Sequence, residues 1–193
     1  MIAEVISLLM ITAVLGGLGA GKTLTLVYIA YINQDKDILA NFQIALPNVI
    51  VLEDFSQLFQ QWDIVLLDEI YTLADSRRAS SNVNLLMATA FSQSRKLGYD
   101  LFYTAQLPSQ AESRLRGLTD CIIYPRFNKR KMTLTLRIMD LYSGEVKVVK
   151  VKRKTVRKLF EIYDSYELLA PIYFSYSFER ENTLDKYMRA GHD

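Results

Sequence analysis

The chain has 193 residues, half of them apolar, and a formal net charge of +2. That length suits one domain with a sizeable core. Four prolines, eight glycines and no internal repeat or low-complexity tract exclude wholesale disorder. A single cysteine, Cys121, excludes an intrachain disulfide framework, and a single histidine, His192, removes any His/Cys metal site.

The first fifteen residues are apolar enough to imitate a signal peptide. They lack a basic start, carry Glu4 and run into a glycine-rich segment. They are also too short for a membrane span, which needs about 20 apolar residues. An intracellular protein with no stable membrane insertion is expected.

Leu8 to Leu15 (LLMITAVL) reads as a buried strand and Leu24 to Ile32 as an apolar helix. Short strands are expected at Asp37–Asn41 and Val49–Leu52, and a short helix over Glu53–Gln61. Asp63–Leu67 (DIVLL) reads as a central strand of a parallel sheet covered on both faces. Ser81–Leu97 is a helix, with Ser81 as its cap and Gly98 after its end. Asp100–Ala105 is a strand, and Ser109–Leu118 is a short helix with capping-box spacing from Ser109 to Glu112. Cys121–Tyr124 (CIIY) is a further strand, which makes Cys121 a small core residue.

Strands alternating with helices imply βαβ units and a mainly parallel α/β sheet. After Pro125 the pattern changes. Met132, Leu134, Leu136 and Ile138 alternate with polar or exposed positions at period two. Val146–Lys152 forms the second arm of an antiparallel hairpin, with a phase slip at Val148-Val149 that marks a bulge. Arg153–Tyr166 is expected to be a basic helix, and residues 171–193 to be peripheral. The expected organisation is one domain over residues 1–193: a core of 1–125, then a basic hairpin and helical segment over 126–193.

Between the first strand and first helix lies GGLGAGKT, residues 16–23. It fits G-x-x-x-x-G-K-[ST], the phosphate-binding P-loop or Walker A motif, in the strand–loop–helix setting the motif requires. The glycines let backbone N–H groups turn inward, and the helix N-terminus adds positive potential. The nucleotide-binding residues are then Gly16, Gly17, Leu18, Gly19, Ala20, Gly21, Lys22, Thr23 and Leu24. Lys22 reaches the β/γ-phosphates and Thr23 holds Mg²⁺.

Asp63–Glu69 (DIVLLDE) is an apolar strand ending in two carboxylates, a Walker B pattern. Asp68 is the second Mg²⁺ residue and Glu69 the group that activates water. A carboxylate directly after Asp68 favours hydrolysis over transfer to a metabolite. The GTPase motif N-K-x-D is missing, since Asn128-Lys-Arg-Lys131 ends in Lys, and so is the transporter signature L-S-G-G-Q. A nucleotide kinase would need an Arg-rich lid, which is not found.

The strand at 100–105 runs into Gln106, which either senses the γ-phosphate or is satisfied by local backbone. Arg114 and Arg116 are either surface arginines or candidates for an arginine finger acting across a subunit interface. Arg77 and Arg78 face a neighbour or a nucleic-acid channel. Arg95 and Lys96 suit a helix C-terminus.

Charge is unevenly spread. Residues 126–158 hold 12 Lys/Arg and 2 Asp/Glu, whereas the flanking segments are each net negative. Such asymmetry fits either a polyanion partner or the solvated face of a hairpin.

Together GGLGAGKT, IVLLDE, Asp75-Ser-Arg77, SRKLGYDLFYTAQ (Ser94 to Gln106), RLRGLTD (Arg114 to Asp120) and YDSYE (Tyr163 to Glu167) resemble the genome-packaging NTPases of archaeal viruses. These belong to the FtsK/HerA superfamily of P-loop motors. The resemblance spans residues 8–167. It implies an ATP- and Mg²⁺-dependent homo-oligomeric ring, usually a hexamer, that drives double-stranded DNA into a capsid. Such a protein works in the host cytoplasm and transiently at the capsid or portal vertex. It assigns Lys22, Glu69, Gln106 and one of Arg114 or Arg116 to catalysis, and Thr23 and Asp68 to the metal. The alternatives are a zonula-occludens-toxin-like phage morphogenesis or export ATPase, a small nucleotide kinase, and a nucleotide-dependent scaffold.

Overall fold

A computed structural model describes residues 10–70, 81–107 and 113–163, with backbone alone for 81–87 and 113–114. Leu8 and Leu9, the loop arginines Arg77 and Arg78, the caps Ser109 and Glu112, and residues 164–193 lie outside the described residues. In chain order the elements are β1 (Ile11–Leu15), α1 (Lys22–Ile32), β2 (Ile38–Ala40), β3 (Val49–Val51), a 3₁₀ helix (Phe55–Phe59), β4 (Ile64–Leu67), α2 (Ser81–Leu97), β5 (Asp100–Ala105), α3 (Ser113–Leu118), β6 (Cys121–Asn128), β7 (Thr133–Asp140), β8 (Val146–Val151) and α4 (Arg153–Glu161).

The strands form one eight-stranded sheet in the order β3-β2-β4-β5-β1-β6-β7-β8. Pairing is parallel from β3 through β6, and antiparallel for β6–β7 and β7–β8. The expected mainly parallel α/β sheet with an antiparallel C-terminal end is the fold observed. β1, β4 and β5 are buried along their whole length, so their sequences are mostly apolar without alternation, with Thr12, Asp100 and Thr104 as buried polar exceptions.

Two apolar layers cover the sheet. On one face α1 and α4 pack over Val14, Leu66, Phe102, Ile123 and Leu136. On the other, α2, α3 and the 3₁₀ helix pack over Ala13, Val65, Leu101 and Tyr103. α1 is apolar almost all round because it lies between the sheet and α4, whose Val156 and Leu159 are fully buried. No helix of the described residues is long and apolar enough to cross a membrane.

Besides the last helix, which ends at Glu161 short of the expected Tyr166, three local expectations need correction. The helix expected over Glu53–Gln61 shrinks to one 3₁₀ stretch. The Asp54–Gln57 capping box starts the turn, and the Gln57 carbonyl then accepts from Trp62 Nε1 at 2.7 Å and from the Gln60 N–H at 3.1 Å, so it is not passed on to residue 61. The strand expected to end at Tyr124 runs on to Asn128 through Pro125. Pro125 lies past the last β1 pairing, Val14 opposite Ile123, where the ladder needs no donor from it. Finally, β7–β8 carries no bulge: its register is unbroken from Leu134 opposite Val151 to Met139 opposite Val146. The phase slip arises because β8 is the sheet edge, which leaves Val146 and Val148 exposed.

Opposite the glycine-rich loop, carboxylates pin the start of β1. The Met10 N–H donates to Asp100 Oδ1 and the Ile11 N–H to Asp120 Oδ2, both at 2.8 Å. Burial raises the Asp100 pKa above the usual carboxylate value. Arg95 does more than face a helix dipole: its Nη2 donates to Asp120 Oδ1 at 2.6 Å.

Candidate functional site

The glycine-rich loop leaves the C-terminal end of β1, where the Gly16 N–H donates to the Ala105 carbonyl of β5. It closes on itself through Ala20 N–H to Gly17 O at 3.2 Å, and it is tied to β6 through Phe127 N–H to Ala20 O at 2.9 Å. Gly19 and Gly21 sit at φ 72° and 97°, the left-handed region that glycine enters without cost. At Gly21 a β-carbon would also come within 3.0 Å of Phe127 Cβ and 3.1 Å of Leu134 Cδ1. Glycine is therefore required there for two independent reasons. Leu18, at the crest of the loop, is 90% exposed.

α1 begins at Lys22. The Lys22 side chain is buried and folds back across the loop, Nζ donating to Gly17 O at 3.3 Å. Thr23 comes next, and its Oγ1 donates to Asp68 Oδ2 at 2.6 Å. Residues 45 apart in sequence thus meet where β1 and β4 end. Leu24 is buried and packs into the core under α1.

Asp68 is held from three directions. Besides Thr23, Thr104 Oγ1 donates to Asp68 Oδ1 at 2.5 Å. Asn41 grips its backbone at both ends: the Asp68 N–H donates to Asn41 Oδ1 at 2.7 Å, and Asn41 Nδ2 donates to Asp68 O at 2.9 Å. Thr104 also accepts from the Glu69 N–H at 2.8 Å. Glu69 is in the left-handed region at φ 47°, an outlier for a non-glycine residue of the kind that concentrates at working sites. Thr104 is fully buried and Asn41 nearly so.

Sequence reasoning missed Asn41 and gave Thr104 no partner. The available signal was a polar residue at the end of each strand flanking β4, where an apolar strand would otherwise close. Gln106 is half-buried and directly follows the residue whose carbonyl anchors Gly16. The Arg116 side chain is exposed on α3, and the side chain of Arg114 lies outside the described residues. Glycine-rich loop, Lys22, Thr23, Asp68 and Glu69 are brought together at one end of the sheet, beside Gln106.

No protein-family model matches the chain, and no curated protein matches it in sequence. Solved structures do. The N-terminal domain of zonular occludens toxin from Neisseria meningitidis matches with TM-score 0.55 at 17% identity, covering 80% of this chain and 98% of that one. B204, the DNA-packaging ATPase from Sulfolobus Turreted Icosahedral Virus, matches with TM-score 0.51 at 13% identity, covering 73% and 97%. The flagellar accessory protein FlaH from Methanocaldococcus jannaschii matches with TM-score 0.50 at 11% identity, covering 78% and 90%. This is the P-loop NTPase fold. In a P-loop NTPase fold the glycine-rich turn sits between the first strand and the first helix, and here that turn is residues 16–21, capped by left-handed Gly21. Identities this low carry the fold and leave the activity to the residues.

Proposed function

We propose that this chain is an ATP-hydrolysing, DNA-translocating motor, working as a homo-oligomeric ring that packages a double-stranded DNA genome into a capsid. The observation that carries the reading is the Thr23–Asp68 contact of 2.6 Å beneath a glycine-rich loop crossed by Lys22. The loop amides and the α1 N-terminus would cradle the β- and γ-phosphates. Lys22 would release Gly17 O and pair with the phosphate oxygens.

The donor set fits Mg²⁺, because Thr23 Oγ1 and Asp68 Oδ2 are adjacent hard oxygens and this ion takes one or two carboxylates plus phosphates. Thr23 and Asp68 would hold the ion, whose chemistry there would be neutralisation of charge at the γ-phosphoryl. Glu69 would hold the attacking water in line and accept its proton. Thr104 supports that role by fixing the Glu69 backbone and the Asp68 carboxylate with one hydroxyl. Gln106, beside the loop, would sense the γ-phosphate. Arg116, whose side chain is exposed on α3, would act at a neighbouring subunit's site, with Arg114 as the alternative.

Support for DNA handling comes from the 12 cations in residues 126–158 and from similarity to a DNA-packaging ATPase. The toxin-domain similarity favours a second reading, a phage morphogenesis or export ATPase acting at a membrane. The deciding experiment measures ATP turnover with and without duplex DNA across a salt series, alongside particle mass. Turnover stimulated by DNA and fading with salt, from a ring-sized particle, is expected. DNA-indifferent turnover by a protein that floats with vesicles would favour the second reading.

A further inference from the structure

The 12 cations of residues 126–158 are not spread evenly over the fold. β6, β7 and β8 turn Leu134, Leu136 and Val151 into the core under α4. Their other face carries, in register across three strands, Arg126 opposite Thr135 and Thr135 opposite Lys150. Asn128 opposite Thr133 forms the next row toward the P-loop end. Two strand spacings, about 10 Å, separate Arg126 from Lys150. With Lys131 and Lys152 these residues line a cleft of about 520 Å³.

Arg126, Lys131, Lys150 and Lys152 are all exposed, no carboxylate lines the cleft, and none of the four has an acidic partner among the described residues. Lys147, by contrast, projects from the opposite side of β8 and is paired with Glu145 at 3.4 Å. Farther from the P-loop end, the next row on the same face is Tyr124 opposite Arg137 and Arg137 opposite Val148, all three exposed, and Val146 lies beyond.

We propose that this cleft is a binding site for the phosphate backbone of duplex DNA. The inference rests on the DNA-handling reading above and assigns it to particular residues. Four uncompensated cations facing one concavity complement a polymer that carries one negative charge per about 1.7 Å of helix axis. None of the residues lining the cleft is aromatic, and exposed Tyr124, one row away on the same face, is a single ring where single-stranded binders stack successive bases. Its threonines and Asn128 add neutral donors of the kind that position a protein on phosphates without reading bases. The site is also joined to the P-loop: Phe127, between Arg126 and Asn128, donates its N–H to Ala20 O and packs against Gly21. A pull on β6 from bound phosphates therefore reaches the phosphate loop through one residue.

The test measures fluorescence anisotropy of a labelled duplex with the full chain from 50 to 200 mM salt. It compares wild type, R126Q/K150Q in the cleft, and R157Q/K158Q on exposed positions of α4, which packs on the opposite face. Both variants lose the same charge. The cleft variant should lose at least about tenfold in affinity at low salt. Its affinity drop across the salt range should shrink by about tenfold, as expected for two fewer phosphate contacts. The helix variant should stay within about threefold of wild type.

Equal losses in both variants, or none in the cleft variant, would overturn the assignment while leaving the motor reading intact. Tighter binding of single strands, or of anionic vesicles in place of duplex, would overturn it as well. Failure of wild type to bind duplex in any nucleotide state would remove the parent reading itself. Calorimetric ATP binding by R126Q/K150Q should match wild type, which separates the cleft from the nucleotide site.

Discussion

Thr104→Val tests how the carboxylate end of β4 is held. The substitution keeps the shape of a fully buried side chain and removes only the hydroxyl. That hydroxyl makes the 2.5 Å bond to Asp68 Oδ1 and the 2.8 Å bond from the Glu69 N–H. Loss of a bond to a charged group costs about 2 kcal/mol, and a stranded amide about 1 kcal/mol more, so about 3 kcal/mol of folding stability should go. For a chain of this size that is a melting-temperature drop of roughly 6–12 °C.

The kinetic effect should be larger than the binding effect. Glu69 sits at φ 47° and its amide is anchored by Thr104, so releasing it misplaces the group proposed to orient the attacking water. A misplacement of about 1 Å costs on the order of 100-fold in rate. Turnover should fall about that far, while ATP affinity by calorimetry changes less than tenfold, because the P-loop contacts are untouched. Thr104→Ser keeps the hydroxyl and should restore most of the turnover. Wild-type melting and turnover in Thr104→Val would refute the positioning argument.

Glu69→Gln should bind ATP normally and hydrolyse it at least about 100-fold more slowly in a single-turnover assay. Gly21→Ala should destabilise by about 2–4 kcal/mol in denaturant titration, because it combines a φ of 97° with a β-carbon 3.0 Å from Phe127. Asn41→Ala strands both backbone groups of Asp68 and should cost about 2–3 kcal/mol, measured the same way. Burial pushes the Cys121 thiol up to about 11 from 9.0. The unfolded chain therefore ionises first, and the contribution of Cys121 to stability falls as pH rises from about 9 to 11. Wild type should lose more stability over that window than Cys121→Ala, and native Cys121 should resist thiol reagents at pH 8.

Much of this fold is legible in the residues because its strands obey a strong rule. Strands buried on both faces must be mostly apolar without alternation, which marks β1, β4 and β5, and α2 and β5 have the limits expected from Ser81, Gly98 and Ala105. The P-loop turn is legible because left-handed backbone demands glycine at 19 and 21. β6 is harder to read past Pro125, since a proline ends most interior strands but not one whose pairing with its neighbour has already ended at Val14.

The candidate site is legible as a cluster where motif and spacing coincide, at Lys22, Thr23, Asp68 and Glu69, which the fold brings to one end of the sheet. It is not legible at Asn41, whose amide serves a residue 27 positions away through backbone atoms alone. A polar residue at the end of β2 is the sole local hint, and its partner is set only once β2 and β4 pair in register.

The central claim is that residues 16–23 and Asp68 together hold a magnesium–triphosphate. Isothermal titration of ATP into wild type and Lys22→Ala, each with and without Mg²⁺, tests it most directly. Micromolar binding by wild type that weakens at least tenfold without Mg²⁺ and is lost in Lys22→Ala is the predicted result. Equal heats from the two proteins, or no heat from either, would contradict it.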